Sequence, residues 1–170
     1  MIEEIKNALA YDPETGIFHW KIYRAGTARA GDKAGVRKKR GWIEIQVFGK
    51  RYKAAVLAWA IMTGEWPSLE VDHVNTVRDD DRWENLRLAT RQQNCINRRS
   101  VNEYGLKGVQ FLRRCTKRPW KARIMVNGEH INLGFYATKE EAHEAYCRGA
   151  AKYHGEFANT RSVRPLGCDT

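Results

Sequence analysis

The alternation of apolar and polar positions divides this chain into short elements. Ile2, Ile5 and Leu9 recur at helical spacing and predict a short opening helix. Asp12-Pro13 marks a turn, and Gly16-Ile17-Phe18-His19-Trp20 reads as a strand. Trp42 to Phe48 alternates apolar and polar, the period of a half-buried strand, with Gly49-Lys50 as the hairpin turn that follows. From Ala54 to Thr63, the residues Ala55, Val56, Trp59 and Met62 predict a short buried helix, ended by Gly64 and Pro67.

The next segment, residues 68–100, is dense in Asp, Asn and Arg but keeps anchors at Val71, Val74, Trp83, Leu86 and Leu88. Val71-Asp72-His73-Val74-Asn75 predicts a strand end, and Asn85 to Thr90 a second strand after a polar loop. Thr90 is placed to cap a helix over Arg91 to Arg98 that carries Asn94. Adjacent strand residues point to opposite faces, so a site using both Asp72 and His73 needs a bend there.

A different pattern runs from 107 to 160. Lys121 to Val126 alternates, Asn127-Gly128 is a strong hairpin signal, and Glu129 to Leu133 supplies the partner strand. Parity places Ala122, Ile124, Val126, Ile131 and Leu133 on one face, and Lys121, Arg123, Met125, His130 and Asn132 on the other. An earlier strand, Gly108 to Leu112, is expected to bury Val109 and Phe111 and expose Gln110. Thr138-Lys139-Glu140-Glu141 is a capping box. Ala142, Ala145, Tyr146, Gly149, Ala150 and Tyr153 follow at helical spacing, small enough to lie close on the apolar sheet face.

The expected organisation is therefore α+β. Residues 1–100 form one domain with its polar core at about 68–100, 101–106 a linker, 107–160 a second domain, and 161–170 a tail. Charge sharpens this picture. Thirty Lys+Arg against twenty Asp+Glu give +10, a balance that points to a nucleic-acid partner. The absence of a basic amphipathic helix with a large apolar face argues against an anionic membrane surface. No apolar run approaches a membrane span, so a soluble, cytoplasmic protein is expected. Cys95, Cys115, Cys147 and Cys168 form no C-x-x-C pair, which argues against paired-cysteine zinc and for free thiols.

Asp72-His73, Asn85-Leu86-Arg87 and Asn94 together resemble the ββα-metal motif of HNH endonucleases of the phage and intron homing type. The loop residues Arg78, Asp80, Arg82 and Trp83 resemble that family too, as do Gly41-Trp42, Lys50-Arg51-Tyr52, and Leu57 through Pro67. The resemblance spans most of residues 11 to 100. It implies His73 as general base, Asn85 orienting its ring, and Asp72 and Asn94 as oxygen ligands of one Mg²⁺ or Mn²⁺ ion. An imidazole titrating near neutrality suits the first role, and a hard divalent ion suits oxygen ligands. The chain departs from the family pattern at Asp81, where Asn is usual, and at Thr76, where Gly is frequent. Asp79, Asp80 and Asp81 are open between metal ligation and capping the loop or pairing with Arg78 and Arg82.

Gly108-Val109, Trp120, Ala122-Arg123-Ile124, Leu133-Gly134, Glu141-Ala142, Ala145-Tyr146 and Ala158-Asn159 resemble the Apetala-type (ethylene-response-factor) DNA-binding domain. This resemblance implies a three-stranded antiparallel sheet packed on one helix, laid in the DNA major groove. By position it assigns DNA-facing sites to Lys107, Gln110, Arg123, Met125, His130 and Asn132, beside Lys121 on the same outward face. Arg113, Arg114, Lys117 and Arg118 are expected on phosphates, which position the duplex without reading it. The run Arg37-Lys38-Lys39-Arg40 is open between a DNA contact and a solvated loop.

These features together predict a site-selective, metal-dependent endonuclease acting on double-stranded DNA, as a monomer that nicks or a dimer that breaks both strands. A DNA-binding regulator with a silent nuclease site is the first competitor. A structural RNA-binding protein is the second, for which exposed aromatic platforms would be expected.

Overall fold

The core of the first unit gathers apolar residues from elements far apart in sequence, among them Ile5, Phe18, Ile45, Leu57 and Leu86. A computed structural model describes residues 1–23, 28–98, 102–115 and 117–160. The chain divides into two units, Met1–Arg91 and Gln92–Thr170.

In the first unit, α1 (Ile2–Ala8) turns Ile5 and Ala8 inward and runs directly into β1 (Leu9–Tyr11). That strand pairs antiparallel with β2 (Phe18–Trp20), Leu9 facing Trp20 and Tyr11 facing Phe18. Asp12 builds the connection: its carboxylate accepts from the Thr15 hydroxyl at 2.6 Å and from the Glu14 amide at 3.0 Å. A second sheet has the order β3 (Val36–Arg37), β4 (Ile43–Val47) and β5 (Lys50–Lys53). Its tight turn is Phe48-Gly49, one residue before the expected pair, with φ of +48° and +75°. Two positive φ values give the primed turn whose twist matches the strands.

Helix α2 (Ala54–Thr63) covers Ile45 and Val47 and stops at Gly64, whose φ of +79° is the left-handed cap. Its buried side is Ala54, Ala55, Leu57, Ala58 and Ala60, and Met62 is 42 % exposed. This corrects the expected face. Nearly every residue of the helix is apolar, so periodicity carries little information, and the alanines allow the closest approach to the sheet. The strands β6 (Glu70–His73) and β7 (Leu86–Ala89) then pair antiparallel, with Asp72 opposite Arg87 and His73 opposite Leu86.

Helix α3 (Arg91–Ile96) follows β7 in the order the first resemblance implies. All but its first residue belongs to the second unit, which thus takes in residues before the expected boundary at 100. Within the expected linker, residues 102–106 close a turn. Asn102 accepts from the Leu106 amide at 3.2 Å and donates back to the Leu106 carbonyl at 2.7 Å. The remainder is an antiparallel sheet, β8 (Val109–Phe111), β9 (Trp120–Val126) and β10 (Glu129–Tyr136), with β9 central. It is packed on α4 (Lys139–His154), whose capping box at Thr138 and Glu141 forms as expected.

Close approach of α4 to the sheet depends on two glycines. A Cβ at Gly149 would lie 2.7 Å from Leu133 Cδ1, and one at Gly108 would enter the Tyr146 ring at 1.9 Å. Phe111 corrects another expectation: it is 40 % exposed and lies tilted against Trp120, ring centroids 4.8 Å apart, instead of entering the core. Both units mix helices with sheets. Among the described residues no helix is long and apolar enough to cross a membrane. Cys95, Cys115 and Cys147 are free thiols, while Cys168 and the expected tail lie outside the described residues.

Candidate active site and nucleic-acid face

The connection between β6 and β7 is the most densely hydrogen-bonded polar segment of the first unit. Backbone bonds close it at both ends: the Val74 amide donates to the Asn85 carbonyl at 2.9 Å, and the Thr76 amide to the His73 carbonyl at 2.9 Å. Asn85, buried at the end of a 3₁₀ turn (Trp83–Asn85), stitches its interior. Its side-chain oxygen accepts from the Asn75 amide at 2.9 Å, and its amide group donates to the Asp80 carbonyl at 2.7 Å. These bonds engage the Asn85 carboxamide with the loop, on the residue expected to orient His73 through its side-chain or backbone carbonyl.

His73 is met by Asp81, one of the positions where the sequence departs from the family pattern. His73 Nε2 lies 2.8 Å from Asp81 Oδ1, and the Asp81 side chain is 3 % exposed. A buried carboxylate at this distance forms a charge-assisted bond whenever the imidazole carries the proton. Sequence reasoning left Asp81 open among three neighbouring aspartates, and only the fold separates them. Asp80 forms a two-pronged pair with Arg82, at 2.7 and 2.8 Å. The Arg82 guanidinium, aided by Asn75, holds the Asp80 carboxyl down at about 2. Asp79 pairs with Arg37 at 2.7 Å, and Arg78 donates to the Arg40 carbonyl.

The first hairpin braces this loop from outside. Tyr11 donates its hydroxyl to the Asp81 carbonyl at 2.7 Å, and the Trp83 amide donates to the Pro13 carbonyl at 2.9 Å. Burial and the neighbouring aspartates push the Tyr11 phenol well above its ordinary range, so it stays a donor. Gly16 has φ +73°, and a Cβ there would sit 2.5 Å from the Arg82 amide nitrogen. Thr76, at φ +64°, occupies the left-handed conformation where the family pattern favours glycine.

Asp72 is buried and its Oδ2 accepts from Arg87 Nε and Nη2, each at 3.1 Å. The cross-strand partner thus orients the carboxylate and offsets part of its charge. The donor chemistry suits a hard divalent ion, which prefers carboxylate and carboxamide oxygen. Among the described residues no group of three or more His, Cys, Asp or Glu side chains is placed to hold a metal by itself. Asn94 is half-buried on α3, in the second unit.

In the second unit, the outward sheet face carries Lys121 and Arg123 from β9, and His130 and Asn132 from β10. Gln110 stands beside Lys121 on β8, as parity requires. Arg113, Arg114, Lys117 and Arg118 are exposed in the connection from β8 to β9. Lys107 is placed differently. Its ammonium donates to the Ile96 carbonyl, and to the Arg98 carbonyl at 2.7 Å, so it secures the end of α3 instead of facing outward. Burial pulls it down to about 8. In the run 37–40, Arg37 and Lys38 are taken up in pairs with Asp79 and Glu44.

A family model described as HNH endonuclease matches residues 52–95, which includes His73, Asp81 and Asn85. A relative described as an uncharacterized HNH endonuclease, L560, of Acanthamoeba polyphaga mimivirus is 31 % identical over 126 residues. That alignment takes in 74 % of this chain and 65 % of the relative, so the chain spans just under two thirds of the relative's length.

Proposed function

Starting from that HNH endonuclease match, we infer that the first unit hydrolyses phosphodiester bonds of double-stranded DNA, with His73 as general base. The observation that carries this reading is the half-buried His73 held at 2.8 Å by the buried Asp81 carboxylate, on a loop braced from both sides. His73 takes a proton from a water, whose oxygen attacks phosphorus in line as the P–O3′ bond breaks; the leaving O3′ takes a proton from solvent water, and His73 returns its own to solvent. Asp81 stabilises the imidazolium that forms, as a carboxylate does for histidine in hydrolytic triads. Asn85 holds the loop that presents both. Asp72, oriented by Arg87, would hold a Mg²⁺ or Mn²⁺ ion, which would supply charge stabilisation in the reaction. The sequence expectation that Asn94 is a further oxygen ligand is tested by Asn94→Ala in a metal titration.

The second unit supplies the grip on the duplex. Its sheet of three strands packs on one helix, and its outward cations suit phosphate and base edges. Homing-type site selectivity belongs to this half of the reading. A silent-site DNA binder is the alternative, favoured by the ion pair that Arg87 makes with Asp72.

Cleavage of supercoiled plasmid in Mg²⁺, Mn²⁺ or EDTA tests the reading. Wild type should nick or cut only with metal, and His73→Ala should bind but not cleave. Asp81→Asn keeps a hydrogen-bonding group without the charge and should slow cleavage on the order of 10²-fold. A His73→Ala protein as active as wild type would remove the general base. Binding without cleavage in either metal, on DNA containing the target, would favour the silent site.

A further inference from the structure

Strand β10 does not keep the parity that its sequence suggests. Asn132 faces Arg123, but the next pair is Gly134 with Ala122, so Leu133 is an extra residue and the register shifts. Strict alternation from Ile131 and Leu133 would send Phe135 into the core. After the bulge Phe135 faces Lys121 instead, is 41 % exposed, and has the Lys121 ammonium 5.8 Å from its ring centroid. An aromatic ring therefore stands among Lys121, Arg123 and Asn132 on the charged face.

The bulge is built by the sequence. Gly134 has φ +129°, and a Cβ there would lie 2.9 Å from the Tyr136 hydroxyl oxygen. Asn132 Oδ1 accepts from the Gly134 amide at 3.2 Å, and Tyr136 donates to the Leu133 carbonyl at 3.0 Å. Bulges re-aim side chains at functional edges. Here the side chain re-aimed is apolar, on a surface that carries Lys121 and Arg123 beside Met125, His130 and Asn132.

We propose that Phe135 reads DNA sequence by packing on the C5-methyl group of a thymine in the major groove. The methyl group is the apolar feature that distinguishes thymine there, and a phenyl ring complements it. Lys121 beside the ring draws the phosphate backbone close and holds the ring's orientation by its charge. The proposal rests on the reading of this sheet as a duplex-DNA surface, and it gives the exposed ring of Phe135 a base to read.

The test uses the full chain in EDTA, so that binding is read without cleavage, with a random-sequence duplex pool as probe. Bound duplexes are sequenced for wild type, Phe135→Ala and Phe135→Leu. Wild type should select thymine at one position, and deoxyuridine there should weaken binding about fourfold, the worth of one buried methyl group. Phe135→Ala should lose both the preference and the deoxyuridine effect while keeping its affinity for the unselected pool at low salt. Phe135→Leu, still apolar, should keep part of the preference. An unchanged thymine preference in Phe135→Ala overturns the proposal, as does wild-type binding with no sequence preference, which leaves the DNA surface standing. Wild type that fails to bind the pool at all overturns the DNA reading of the sheet, and Phe135's role with it.

Discussion

Three consecutive aspartates have three different partners. Asp79 takes Arg37, Asp80 takes Arg82, and Asp81 takes His73. Composition cannot distinguish them, because the pairing depends on which way each side chain leaves a loop held by Tyr11, Asn75 and Asn85. The departure from the family pattern at Asp81 was the one available signal. Asp80 gives a prediction at this scale. Its carboxyl is held near 2, below the ordinary 3.8, so the pair contributes stability above the ordinary value and loses it as pH falls towards 2. Asp80→Asn should be less stable than wild type at neutral pH. The difference should shrink between about 4 and 2, as followed by urea unfolding at stepped pH. Equal pH dependence in the two proteins would remove Asp80 from the acid response.

Among the elements, those set by local signals were legible. The capping box at Thr138, the stop at Gly64 and the Asn127-Gly128 hairpin all stand where the residues place them. Two readings failed where a neighbour in space decides the outcome. The buried side of α2 follows the alanines that let it approach β4, and Phe111 turns out of the core to lie against the Trp120 ring. Gly16 shows how far apart such neighbours are in sequence. It belongs to the turn between β1 and β2, yet it makes room for the Asp81–Arg82 backbone. Gly16→Ala should destabilise the protein by roughly 2–4 kcal/mol, from the left-handed backbone and the clash together. It should slow cleavage as well, by displacing the loop that carries Asp81. Urea unfolding and plasmid nicking on the same variant check both, and a stable variant with wild-type cleavage would show that the hairpin does not position the loop.

At the scale of the whole chain, the sequence placed the domain boundary by composition, whereas the fold places it by anchoring. The second unit begins at Gln92 because its own side chains hold the end of α3: Lys107 takes the Ile96 and Arg98 carbonyls, and Asn159 donates to the Asn97 carbonyl. A fragment of residues 92–170 should therefore unfold cooperatively and bind DNA with a steep salt dependence. One of residues 101–170 should melt lower, having lost those carbonyl partners. Circular dichroism melting of the two fragments checks this, and identical midpoints would restore the compositional boundary. The same lysine sets a response to alkali. Its folded form gives up a proton near pH 8, whereas the unfolded chain keeps it to the ordinary 10.5. Between those values the unfolded state binds more protons, so this group adds stability as pH rises. For a protein this rich in cations, mild base thus does two things at once: it firms the body of the second unit around Lys107, and it leaves the surface charge of its arginines untouched.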